Sequence, residues 1–90
     1  MLFFDAIYES GGLFVSKNQK WIHPTRIIDS HEIIYVIKGT VYMFEDEMKY
    51  RLNKGDCIIL EKGKLHGGYE YNTEKEEVSF YWFHFQTHYK

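Results

Sequence analysis

Two side chains near the middle of this chain are suited to chemistry, and each is bracketed by glycine. Glu32 opens the run EIIYVIKG, which ends at Gly39. His66 closes the run GDCIILEKGKLH, which begins at Gly55. A carboxylate and an imidazole brought together can share a proton, hold a metal or grip a polar group of a ligand. In a small barrel both would aim at one interior space, with the glycines allowing turns at the corners. His84 could join them, because it shares strand parity with Phe80 and Trp82 in VSFYWFHFQ. Three converging protein ligands with an open position are what a catalytic metal needs. His31 cannot join Glu32, since neighbours on a strand face opposite ways. His23 and His88 read as ordinary solvent-facing residues.

The elements that must position these groups are short strands. His31 to Lys38 has apolar residues on both faces, the pattern of a strand covered on both sides. Val41 to Glu45 and Met48 to Leu52 flank Asp46-Glu47 as a hairpin. Cys57 to Leu60 is an apolar run of strand length, with Cys57 expected to be a buried thiol. Leu65 to Tyr71 is a looser strand carrying Gly67-Gly68. Val78 to Gln86 is the last, with Phe80, Trp82 and His84 on one face and Tyr81, Phe83 and Phe85 on the other.

Earlier in the chain, Leu13 to Ser16 and Trp21-Ile22 read as strands, with a break at His23-Pro24 because proline has no N–H for a ladder. Arg26-Ile27-Ile28 resumes pairing. Leu2, Phe3 and Ile7 fit either a helical face or an edge strand, and Gly11-Gly12 reads as a break. No helical period is sustained after the first ten residues. Regular short strands with turns between them mean an all-β sandwich or barrel.

Ninety residues make one domain, residues 1-90, and 19% aromatic content supplies one core. Net charge is −2 with no basic face, which argues against direct nucleic-acid binding. One cysteine allows no internal disulfide. The absence of an apolar leader or a spanning-length run leads to the expectation of a cytoplasmic protein with no membrane contact.

The spacing of these residues carries a resemblance. Glu32 followed by six residues and Gly39 resembles the second half of the first cupin motif. Gly55, five residues, Glu61, Gly63 and His66 resembles the second motif, with Glu61 in place of the usual proline. The run HEIIYVIKGTVYMFEDEMKYRLNKGDCIILEKGKLHGGYE, followed by VSFYWFHF, is similar to the N-terminal domain of AraC/XylS-type transcriptional regulators. The resemblance covers residues 12 to 86. It implies a double-stranded β-helix, or jelly-roll barrel, that senses a small molecule or dimerises. DNA binding would fall to a C-terminal helix-turn-helix domain, of which this chain shows no pattern. The chain therefore reads as the sensor half, cut from a longer regulator or standing alone.

The resemblance implies a pocket-lining Trp82 and an Arg26 near the barrel mouth, where a guanidinium suits a carboxylate or a hydroxyl-rich ligand. Metal cupins carry a His-x-His pair just before the glutamate, but Arg26-Ile27-Ile28 has none. The expectation is accordingly no metal, no cofactor and no catalysis. The expected pocket for a sugar or organic-acid effector comprises Arg26, Glu32, Ile34, Val36, His66, Phe80, Trp82 and His84. Tyr42 and Phe44, opposite in parity to Val41 and Met43, are expected to face outward as a homodimer interface. Two rival readings are a metal-dependent enzyme on Glu32, His66 and His84, and a closed, side-chain-filled dimerisation barrel.

Overall fold

A computed structural model describes residues 4–17, 19–73 and 75–89. The described residues form eight strands: β1 (Phe4–Ser16), β2 (Arg26–Ile27), β3 (His31–Lys38), β4 (Val41–Glu45), β5 (Met48–Leu52), β6 (Cys57–Leu60), β7 (Leu65–Gly68) and β8 (Val78–Tyr89). They make two antiparallel four-stranded sheets, ordered β1-β8-β3-β6 and β2-β7-β4-β5. Successive strands repeatedly cross between the sheets. The result is an all-β jelly roll: the strand spacing implies the all-β class, and the family resemblance implies the jelly-roll form.

Each sheet contributes alternate residues to one core. Ile34, Val36, Leu60, Val78 and Phe80 come from the first sheet, and Val41, Met43 and Leu52 from the second. Ile34 lies fully buried between Ile58 on β6 and Trp82 on β8, its partners in register. Truncating it would leave a void that close-packed neighbours cannot fill. Ile34→Ala is expected to cost about 3 kcal/mol, read as a lower urea midpoint with an unchanged slope.

Strands β3, β4, β5 and β6 have the bounds of the sequence reading, β7 stops at Gly68 short of Tyr71, β8 runs past Gln86 to Tyr89, and four further expectations change. The break at Gly11-Gly12 is absent, because β1 runs straight through it as the edge strand beside β8. A Cβ on Gly12 would lie 3.1 Å from the Trp82 indole, and one on Gly11 would lie 2.5 Å from the Phe83 ring. These glycines leave room for neighbouring rings. Ile7 lies within that edge strand, and Leu2 and Phe3 lie outside the described residues. Trp21 and Ile22 join no ladder, although the Trp21 carbonyl accepts a bond from the Asn72 N–H. The last change concerns coverage. Only one face of β3 is sealed, since Tyr35 on the other is 44% exposed. Cys57, opposite Tyr35 on the terminal strand β6, is exposed as well. An edge strand with an uncovered outer face cannot bury an outward thiol.

Candidate functional site

Strand register builds one wall of the site in three rungs. Ser10, His84 and Glu32 lie side by side across β1, β8 and β3. Gly12, Trp82 and Ile34 form the next rung, then Phe14, Phe80 and Val36. Residues directly opposite in adjacent strands share a face, so a polar rung sits beside an aromatic one. His66 on β7 and Arg26 on β2 approach from the second sheet, where they are register partners.

Glu32 is the centre of the polar end and is only 2% exposed. The Arg26 Nη2 donates to its Oε1 at 3.1 Å. The His84 Nε2 stands 3.3 Å from its Oε2, and the His66 Nε2 stands 3.6 Å from Oε1. With Glu32 ionised, the His84 Nε2 carries the proton, and its Nδ1 accepts from the Ser30 hydroxyl at 3.0 Å. A buried carboxylate without such donors would carry a large desolvation cost. The guanidinium also directs its Nε towards the His66 Nε2, at 3.4 Å.

His23 completes the cluster and overturns its reading as a solvent-facing residue. It is buried, with its ring 5.6 Å from that of His66. Its Nδ1 donates to the Pro24 carbonyl at 2.7 Å. Burial pushes its pKa down to about 4, against the Pro24 carbonyl, which raises it, and with the Arg26 charge, which lowers it further. Burial also takes His66 down to about 4, helped by His23, with Glu32 opposing. Both imidazoles are therefore neutral at neutral pH.

A cavity of about 460 Å³ opens on this polar end. Arg26, Glu32, Phe80, Trp82 and His84 from the sequence reading line it. Ser10, Phe14, Trp21, His23 and Pro24 complete the lining. The rings pack as one unit. Phe14 lies 4.5 Å from Trp21 and 4.9 Å from Phe80, and Trp82 meets His84 edge-on at 5.4 Å. Ile34 and Val36 do not line the cavity: they are sealed in the core. His66 does not line it either, but is fully buried against Glu32. Tyr42 and Phe44 are half-buried, and Tyr69 packs edge-on against Tyr42 at 5.7 Å.

The missed lining residues come from β1 and from the segment before β2. Ser10 and Phe14 were legible in part, because Phe14 sits in a recognisable strand. Nothing periodic marks Trp21 to Pro24, so only the packing of that segment across the cavity reveals it. Among the described residues, one ligand atom each from His23, Glu32 and His66 lie within 4.8 Å of one another, a set able to hold a metal ion. Two neutral imidazoles and a carboxylate suit a transition metal. The third member of that set beside Glu32 and His66 is His23. His84 instead holds the other oxygen of Glu32.

Residues 13–88 match the AraC-like ligand binding domain family. The chain belongs to that family. This AraC-like domain is 35% identical to the uncharacterized HTH-type transcriptional regulator YisR of Bacillus subtilis (strain 168) over 66 residues, 73% of this chain. The chain spans 22% of that regulator's length. The fold is similar to that of the Cnp3 cupin domain of Schizosaccharomyces pombe, with a TM-score of 0.67 at 17% identity, covering 92% of this chain and 63% of that one. It is also similar to a protein of Ralstonia eutropha JMP134, with a TM-score of 0.72 at 15% identity, covering 91% and 85%. These likenesses establish a cupin jelly roll for an AraC-like domain. Among the described residues, no helix is long and apolar enough to cross a membrane.

Proposed function

We propose that this AraC-like domain senses a small effector on behalf of a transcriptional regulator and does no chemistry itself. The observation that carries this reading is the cavity, whose aromatic wall adjoins a buried, charged end. Its volume falls in the usual range for small-molecule sites. Trp21 and Trp82 offer faces for a sugar ring or an apolar ring. Arg26, Glu32 and His84 offer both donors and acceptors for hydroxyl or carboxylate groups. A sugar or an organic acid suits this mixture. The cavity also speaks against a barrel closed by its own side chains.

Effector binding would bias the arrangement of β2 and the segment before it, since Arg26 and His23 meet the ligand from there. That differential affinity is the signal available to a DNA-binding part. Kinship with a much longer HTH-type regulator supports placing that part elsewhere in the protein, and a homodimer is the assembly we propose.

Thermal-shift screening against sugars and organic acids tests the reading. An effector at 100 times its Kd adds about 2.7 kcal/mol, which for a domain this small raises Tm by about 10 °C or more. Trp82→Ala is expected to weaken that effector at least about tenfold, the order expected for a lost ring contact. Trp82→Phe should recover part of it. An effector that binds Trp82→Ala as tightly as the parent protein would place the site elsewhere.

A further inference from the structure

We infer that the outer face of the β1-β8-β3-β6 sheet docks a second copy of this chain, sheet against sheet. The inference gives the proposed homodimer its surface and rests on that reading. Strand register sets what the face presents. Leu13, Tyr81, Tyr35 and Cys57 form one rung across all four strands, and Gly11, Phe83, Ile33 and Ile59 form the next. Their parity is opposite to that of Phe80 and Trp82, so they point away from the cavity. None of the eight is charged. Leu13, Tyr35, Ile59, Tyr81 and Phe83 are each at least 39% exposed. Contiguous apolar patches beyond a few hundred Å² mark interaction sites on soluble proteins.

The shape of this face suits a copy of itself. The Tyr81 and Phe83 rings lie nearly parallel, 6.3 Å apart at 21°. The Phe83 ring also covers Gly11, where a Cβ would lie 2.5 Å from it. The centre is therefore a level aromatic plate. Open sheet faces pack on one another about 10 Å apart. With Tyr8 and Val15 at its two ends, the face leaves roughly 700 Å² accessible, taking about 150–250 Å² for each large side chain. A standard stable interface takes about 800 Å² from each partner. One face thus supplies nearly all that a dimer needs.

Charge selects the same occupant. A twofold contact places one patch against itself, so the patch must complement itself. An uncharged plate does so, because no like charges meet across it. The ion pairs of Glu77 with Lys17 and Lys38 stand at one end, as a polar rim. The outer face of the other sheet fits a copy less well. There Tyr42 and Phe44 stand opposite Arg51 and Lys49 in register, so a twofold contact would bring cations together.

Sedimentation equilibrium of the 90-residue chain across the micromolar range tests the surface. A dimer with a Kd of about 10 µM or tighter is expected. Tyr81→Lys and Ile59→Lys should each weaken it by at least about 100-fold, since each substitution enters a twofold contact twice. Both side chains are exposed, so these monomers should keep the parent circular dichroism. Tyr42→Lys, on the other sheet, should change the Kd by less than about threefold. The chain's one cysteine gives a second readout. Cys57, at the edge of the face, should be alkylated several-fold more slowly in the dimer than in Tyr81→Lys. A monomeric parent chain overturns both the surface and the homodimer, and leaves the face to a segment of a longer regulator. A dimer that survives Tyr81→Lys and Ile59→Lys, or that is lost only in folded Tyr42→Lys, overturns the surface and spares the homodimer. The effector screen reads sensing separately from either result.

Discussion

Acidification from pH 7 to pH 4.5 is expected to remove several kcal/mol of stability from the metal-free protein. His23 and His66 both have folded pKa values lowered to about 4, from the ordinary imidazole value of 6.5, chiefly because burial disfavours the charged ring. Between those values the unfolded chain binds protons that the folded chain refuses. Stability therefore rises with pH in this window. Their contribution is complete above pH 6.5 and is lost as pH falls towards 4. For one imidazole the loss at pH 4.5 is about 2.7 kcal/mol, two pKa units at 1.36 kcal/mol each. Two such groups approach the whole stability of a domain this size, roughly 5–13 kcal/mol at the usual value per residue.

Urea unfolding at pH 7, 6 and 5 measures the effect. His23→Asn keeps an N–H for the Pro24 carbonyl and removes one of the two titrating rings. It should reduce the pH slope by about half. A slope equal to that of the parent protein would show that His23 does not hold its proton off in the folded state.

Gly39→Ala is expected to cost about 3 kcal/mol or more of the domain's stability. Gly39 ends β3 with φ at +74°. An L-residue there costs about 1–2 kcal/mol from the clash of Cβ with its own backbone. A second cost arises from packing, since the new Cβ would lie 2.5 Å from the Glu77 carbonyl oxygen and 3.1 Å from Val78. That oxygen belongs to the chain entering β8, where the register with β3 shifts between Val36 and Lys38. Glu77 adjoins Val78, whose strand is paired on both sides, so its backbone yields poorly, and overpacking costs another 1–3 kcal/mol or so. Gly55→Ala provides the comparison. Gly55 has φ at +90°, but nothing lies within 4 Å of its Cβ position. It should lose only the conformational part, about 1–2 kcal/mol. Equal losses at Gly39 and Gly55 in parallel denaturant titrations would refute the packing argument.

These two results probe different levels of legibility. The glycines were visible as strand ends, and β3, β4, β5 and β6 have the bounds that alternation and turn residues mark. Glu32 and His66 were legible as a converging pair because strand parity and the intervening hairpin leave them little choice. The parity of β8 likewise put Phe80, Trp82 and His84 together on the cavity side. Local periodicity suffices where each residue's face is set by its immediate neighbours.

Other features depend on what lies across a gap, and local pattern is silent there. Ile34 and Val36 have the same parity as Glu32, yet they are sealed while Glu32 reaches the cavity, because the two sheets close over one end only. Cys57 looks like core in sequence but faces outward from a terminal strand. Gly11-Gly12 resembles a break but makes room for two rings.

The amino-acid order by itself determined an all-β sandwich or barrel of short strands with one core and a carboxylate and an imidazole turned inward, since alternation, turn glycines and strand parity act over a few residues; the jelly-roll form came with the family resemblance. Only the tertiary structure decided that His23 is buried beside them and that Arg26 holds the carboxylate. Both arrive from a segment with almost no ladder of its own, and its position follows from packing against distant strands.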